Sequence, residues 1–87
     1  MNGTYTKAER AHVARVKETA CAVCDAPPPS EAHHIKQGCH WTVVALCVDC
    51  HRGPSGWHGT KTLWRIRKLD ELEALNITLG KLAVALS

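Results

Sequence analysis

The sequence predicts a small α+β domain, in which a metal-stapled β-hairpin runs into a helix and further helices stand before and after it. Three observations carry this prediction. Two Cys-x-x-Cys pairs, Cys21/Cys24 and Cys47/Cys50, have 22 residues between them, a spacing that suits two knuckles closing on one ion. Between them, two short β-compatible runs flank the turn Lys36-Gln37-Gly38. With 87 residues, no Phe, one Tyr and three Trp, the chain is also too short to rest on apolar burial alone, so a metal staple is expected on stability grounds.

The elements follow in chain order. Thr6-Lys7-Ala8-Glu9 has the spacing of a capping box, and Ala8, Ala11, Val13, Ala14 and Val16 give an approximate helical stripe, which predicts a helix from residue 7 to about 18. Its Lys7, Arg10, Arg15 and Lys17 read as an ordinary solvated face, and His12 as a surface residue. Cys21-Ala-Val-Cys24 folds into a tight knuckle. Ala26-Pro27-Pro28-Pro29-Ser30 admits neither helix nor central strand and serves as a stiff connector. Glu31 to Ile35 reads as the first strand and Trp41 to Leu46 as the second, with Gly38 free to take positive φ in the turn. His40, beside that turn, reads as a solvent-exposed loop residue. Cys47 to Arg52 begins a helical turn that Gly53-Pro54-Ser55-Gly56 ends. Thr60 then caps a long helix over about 61–75, lined by Leu63, Ile66, Leu69, Leu72 and Leu75 and stopped at Asn76, and Thr78 caps a last short helix. The whole forms one domain over 1–87: an N-terminal helix (1–19), the knuckles and hairpin (20–58), and C-terminal helices (59–87).

Four thiolates suit zinc, which takes them tetrahedrally, has no redox chemistry and keeps no open position, so Cys21, Cys24, Cys47 and Cys50 are expected to hold a structural Zn²⁺. Two disulfides, or four ordinary buried cysteines, are the competing arrangements; the paired spacing speaks against the second. The N-terminal Met-Asn-Gly-Thr-Tyr-Thr-Lys has no apolar signal core and no run reaches the ~20 apolar residues of a membrane span, so a cytoplasmic chain with reduced thiols is expected. Cys39 is the spare thiol and the substitute ligand if one of the four is not used. The formal charge of +3 falls to about +1 with four thiolates on one zinc and returns to about +3 with a second divalent ion, so net charge is weak support for a nucleic-acid partner.

Four further histidines draw notice. His33 and His34 are adjacent at the end of the first strand, His51 follows the second knuckle, and His58 sits in Gly56-Trp57-His58-Gly59. Singly each reads as a core or surface residue; together they suggest a second, catalytic ion. The pattern resembles the ββα-metal (treble-clef-like) fold of HNH endonucleases in its four-cysteine-zinc version. That resemblance implies a metal-dependent endonuclease that nicks DNA and leaves 5′-phosphate and 3′-hydroxyl ends. His34 matches the general base, while His33 and His51, with His58, match ligands of a Mg²⁺, Mn²⁺ or Zn²⁺ ion. A strand sends neighbours to opposite faces, so the roles of His33 and His34 are open to exchange. Two positions depart from the pattern. Thr42 stands where an orienting Asn is common, and Ser55 where a further His is often seen. Cys50-His51-Arg52-Gly53-Pro54, Gly56-Trp57-His58-Gly59, Ala32-His33-His34-Ile35 and the Leu75-Asn76-Ile77-Thr78-Leu79 tail are similar, over roughly 20–80, to the phage-encoded Ref-type nucleases. These cut DNA within RecA filaments, which implies phage or prophage origin and a RecA partner. Their longer basic N-terminal arm is missing here.

Lys61, Arg65 and Lys68 fall on one face of the expected long helix, and with Arg52 they are candidates to track a DNA backbone without reading sequence; a solubilising face is the alternative. Trp57 reads as core or as a DNA wedge. A treble-clef zinc module that binds DNA or protein without catalysis, and a toxin-type nuclease paired with an immunity protein, fit the same residues. Oligomeric state is not legible.

Overall fold

The computed structural model describes residues 5–86. Six elements follow in order: α1 (Lys7–Lys17), β1 (Glu31–His34), β2 (Val43–Leu46), α2 (Val48–Arg52), α3 (Thr62–Arg67) and α4 (Glu71–Leu86). The two strands pair antiparallel in the register Glu31↔Leu46, Ala32↔Ala45, His33↔Val44 and His34↔Val43. Among the described residues no helix is long and apolar enough to cross a membrane.

The hairpin is the middle layer. All four residues of β2 are fully buried, and they alternate between two clusters. Val44 and Leu46 pack with Cys21, Cys50, Trp64, Ala74 and Leu75 on one face. Val43 and Ala45 pack with Val13, Val16 and Leu82 on the other. A strand buried on both faces reads as an unbroken apolar run, which is how Val43-Val44-Ala45-Leu46 appears in the sequence. The free edge of β2 is covered as well. The Ala22 amide donates to the Ala45 carbonyl at 2.9 Å, and the Ala45 amide donates to the Thr78 hydroxyl at 3.2 Å.

The capping box at Thr6 and Glu9 forms as expected, with both reciprocal bonds present. The strands are shorter than expected, because Ile35, Trp41 and Thr42 lie outside the ladder although the Ile35 amide still reaches the Thr42 carbonyl at 3.3 Å. Gly38 takes its positive φ, at 86°.

The C-terminal half departs most from expectation. There is no continuous helix over 61–75. Lys68 adopts a left-handed conformation (φ 56°) and ends α3, and Asp70 starts α4 through a second capping box, its carboxylate accepting from the Glu73 amide at 2.8 Å while Glu73 accepts from the Asp70 amide. Thr60 caps nothing; the residue before α3 is Lys61, also left-handed, with no side-chain cap bond. Asn76 does not stop a helix and Thr78 does not start one. Both lie inside α4, where the Thr78 hydroxyl donates back to the Ala74 carbonyl at 3.0 Å. The apolar spacing of the sequence runs across the break between α3 and the 16-residue α4, so it does not trace one buried face. Ile66 and Leu72 are consequently exposed, at 68% and 72%, while Trp64 is the large buried anchor at 1%.

His12 and His40 are also corrected, since both are buried. His12 Nε2 bonds the Trp41 carbonyl at 3.1 Å, so α1 braces the hairpin loop through it.

Truncating Trp64 to Ala should cost about 3–5 kcal/mol, much of the stability of so small a domain, whereas Ile66→Ser and Leu72→Ser should each stay within about 0.5 kcal/mol. Denaturant midpoints separate this packing from a continuous buried stripe, in which all three would be costly.

Candidate metal centre

Two groups of metal-ligating side chains lie on the same face of the hairpin. The first is Cys21, Cys24, Cys47 and Cys50, whose Sγ atoms all fall within 4.8 Å of one another. Cys24 and Cys47 Sγ are 3.6 Å apart. A tetrahedron with Zn–S bonds of about 2.3 Å has an edge of about 3.8 Å, so four thiolates at this separation suit zinc. The knuckles are locally shaped for it. Asp25, left-handed at φ 64°, turns the first one, and its carboxylate takes the Lys81 ammonium from α4 at 2.6 Å. In the second, the Cys47 side chain N-caps α2 by accepting from the Cys50 amide.

The thiols also cannot all ionise unaided. Against the upward push of burial, the backbone around Cys24, Cys47 and Val23 brings Cys21 down to about 7. Burial first, then the neighbouring thiols and the charge of Cys21, drive Cys50 far up. Burial likewise raises Cys47. One thiolate suppresses the next, and a bound dication is what lets four coexist. The cluster can therefore hold zinc. Cys39 is exposed and stands outside it.

The second group is His33, His51 and His58, again with one donor atom from each within 4.8 Å of the others. His33 comes from β1, opposite Val44, and therefore points to the face that carries α2. His51 comes from α2 itself. His58 is brought back by the segment after α2, which folds onto that helix: the Trp57 amide bonds the Cys50 carbonyl at 2.9 Å and the His58 amide bonds the His51 carbonyl at 3.0 Å. The contact is close enough to require glycine. A Cβ on Gly56 would lie 2.5 Å from the Asp49 carbonyl oxygen, and one on Gly59 would run into the Pro54 carbonyl.

The protonation pattern of these rings follows from their partners. His33 Nε2 contacts a Glu71 carboxylate oxygen at 2.6 Å, and His51 Nδ1 contacts Glu31 at 2.8 Å. A carboxylate accepts, so each outward nitrogen carries the N–H. The inward nitrogens, His33 Nδ1 and His51 Nε2, then present lone pairs to each other at 3.3 Å. Burial first, and the neighbouring histidines, lower the pKa of His33, although Glu71 works the other way; protonating this buried ring is therefore a poor way to relieve the opposition. Glu31 is itself pulled down to about 2 by its hydrogen bonds from Arg52 and then His51, and stays an anion.

The remaining expected site residues are placed differently. His34 lies opposite Val43, on the face that carries α1, and bonds Tyr5 and His40 rather than the His33 group. The Thr42 hydroxyl donates to the Cys39 carbonyl at 3.3 Å, bracing the loop without touching His34. Arg52 is committed to Glu31 through three contacts of 2.7–3.0 Å, so it belongs to the metal-centre frame and not to an open basic face. Lys61, Arg65 and Lys68 do not share one helix face, because Lys61 and Lys68 are the left-handed ends of the short α3. Lys61 Nζ sits 4.8 Å over the Trp57 ring, and Trp57 packs edge-on against Trp64. Glu71 and Glu31 are not legible as site residues in the sequence, since they lie 38 and 20 residues from the histidines they hold.

No family model, curated protein or solved structure matches this chain.

Stripping metal with a strong chelator should abolish the far-UV helical signal cooperatively, and one equivalent of Zn²⁺ should restore it. Cys50→Ser should behave like the stripped protein, while Cys39→Ser should melt within about 0.5 kcal/mol of the parent.

Proposed function

We propose that this chain is a metal-dependent endonuclease of the HNH type, with a structural zinc at the four cysteines and a second divalent ion at His33, His51 and His58 in a ββα-metal arrangement. One observation carries the reading: two imidazoles turn opposed lone pairs inward while carboxylates hold their outward N–H groups. This is the carboxylate–histidine–metal pattern, in which the outer partner fixes tautomer and ring orientation. The 3.3 Å between the inward nitrogens fits the edge of about 3.3 Å expected for tetrahedral Zn–N bonds near 2.05 Å. A three-imidazole donor set favours Zn²⁺ over Mg²⁺ and Mn²⁺, which prefer oxygen ligands.

The chemistry follows from the residues. When bound, the ion neutralises the scissile phosphate and stabilises the departing 3′-oxygen. Glu71 and Glu31 hold His33 and His51 ready, and the Arg52–Glu31 pair keeps Glu31 in place. His34 takes the proton from the attacking water; burial first, then His40 and His33, lower its pKa, so it is neutral and basic at pH 7. Because the strand sends His33 and His34 to opposite faces, one phosphate would have to lie at the end of β1 to be served by both rings. Arg65 and Lys68, both exposed, and Lys61 supply backbone contacts that position DNA without reading its sequence. One site per chain gives a nick with 5′-phosphate and 3′-hydroxyl ends. The likeness to Ref-type nucleases adds phage origin and activation on a RecA filament to the proposal, and rests on the motifs alone.

Supercoiled plasmid, incubated with Mg²⁺, Mn²⁺ or Zn²⁺ and with or without a RecA filament, tests this. Wild type should nick it, while His34→Ala and His58→Ala, still folded around one zinc, should lose at least about 100-fold. A folded, one-zinc protein that never nicks would replace the enzyme with a zinc module that binds DNA or protein.

A further inference from the structure

The longest helix, α4, buries one face and leaves a second, largely apolar face uncovered among the described residues. Ala74, Leu75, Thr78 and Leu82 are buried on the hairpin side. Leu72, Asn76, Leu79 and Ala83 are exposed, Leu72 at 72% and Leu79 at 42%. A surface helix ordinarily turns its charges outward, as α1 does with Lys7, Arg10, Arg15 and Lys17, and a helix apolar all round is ordinarily buried. In α4 the three charged side chains all turn back to their own chain. Glu71 meets His33 at 2.6 Å, Glu73 accepts from the Asp70 amide at 3.0 Å, and Lys81 pairs with Asp25 at 2.6 Å.

The exposed positions are not scattered. Leu72, Asn76, Leu79 and Ala83 follow at intervals of four, three and four, the repeat of about 3.5 residues that marks a coiled-coil seam. Leu72 and Leu79 fall at d positions, Asn76 and Ala83 at a positions. Leu at d suits a two-stranded parallel pair, and a single Asn at a fixes register and copy number at some cost in stability. An amide is both donor and acceptor, so Asn76 set against its own copy satisfies itself, which an apolar partner cannot do. The surface has room for a second helix. A Cβ placed on Gly80, beside the seam, would meet nothing within 4 Å. An open groove of about 570 Å³, lined by Leu69, Leu72, Leu75, Asn76 and Leu79, supplies holes for the knobs of a partner.

We propose that a second copy of this chain covers the face, α4 against α4 in parallel and in register, so that Leu72, Asn76, Leu79 and Ala83 each meet their own counterpart. The contact is isologous and closes at two copies. Because the fold already holds α4 helical, pairing does not have to bear the cost of helix formation, and two heptads suffice where an isolated peptide would need more. The area is small, roughly 500 Å² per copy against the ~800 Å² of a standard interface, so the dimer is weak, with Kd on the order of 10 µM. The seam stands apart from the nuclease reading. Under that reading, parallel pairing brings both His33–His51–His58 groups to one end of the dimer, because Glu71 opens α4 there.

Sedimentation equilibrium of the zinc-loaded full chain, from about 1 to about 200 µM, tests the seam. Circular dichroism and zinc content establish that each variant is folded. Wild type should pass from monomer to dimer across this range and stop there. Leu72→Glu sets two carboxylates opposite one another and should weaken pairing at least about 10-fold. Ile66→Ser, which also changes an exposed apolar residue but lies off the seam, should pair like wild type. Asn76→Leu should pair more tightly, since the polar pair is retained at a cost in stability. In a Cys39→Ser background, Asn76→Cys should cross-link to its own copy under mild oxidation, as the parallel register requires. A wild type that stays monomeric over the whole range would overturn the proposal and assign the face to a different partner. Equal weakening by Ile66→Ser would overturn it too, reducing the association to general adhesion, as would a dimer in which Asn76→Cys does not cross-link. None of these readouts involves nicking, so the nuclease reading fails or stands separately.

Discussion

The four-thiol cluster is the constraint on which the rest of this molecule depends. It ties the chain before the hairpin to the first turn of α2, so that β1 and β2 are fixed between two knuckles. Cys21 and Cys50 are fully buried within the main apolar cluster, and the Trp64 indole donates to the Cys50 carbonyl at 2.8 Å, so the metal-binding loops and the core are one object. An 87-residue chain with no Phe has few large side chains for packing. A metal held by these four thiols would substitute for the burial such a chain lacks, and folding and metal binding would become one equilibrium.

From that frame, strand geometry dictates the layout of the histidines. The register puts His33 beside Val44 and His34 beside Val43, which sends the first toward α2 and the second toward α1. Each ring then meets a different kind of neighbour. His33 meets imidazoles backed by carboxylates from β1 and α4, a setting that turns lone pairs toward one point. His34 meets a phenol and another imidazole, held by α1. Two adjacent residues acquire different environments without any added chain length.

The features legible in the sequence are local ones. The capping box at Thr6, the turn at Gly38 and the cysteine knuckles are each set within four residues, and each appears in the structure. The return of His58 is legible as a consequence of the Gly-Pro bend, because glycines there let the chain lie against α2. What the sequence conceals depends on distant partners. Glu71 is recognisable as a support for His33 only once α4 is folded over the hairpin. His12 and His40 look exposed in the sequence because nothing local announces that α1 covers the hairpin loop. The break between α3 and α4 has a visible sign in Asp70 and Glu73, a second capping box, but the regular Leu spacing across it masks the signal.

Two distinct metal sites on one face of a hairpin are the central claim, and titration of the metal-free chain with Co²⁺ tests it most directly. Two steps are predicted: a first equivalent that restores helicity and gives intense thiolate-to-cobalt absorption, then a second, without new thiolate absorption, that is lost in His58→Ala while the first remains. Saturation at one equivalent in both proteins would contradict the claim, leaving a zinc-stapled fold whose three converging histidines hold no ion.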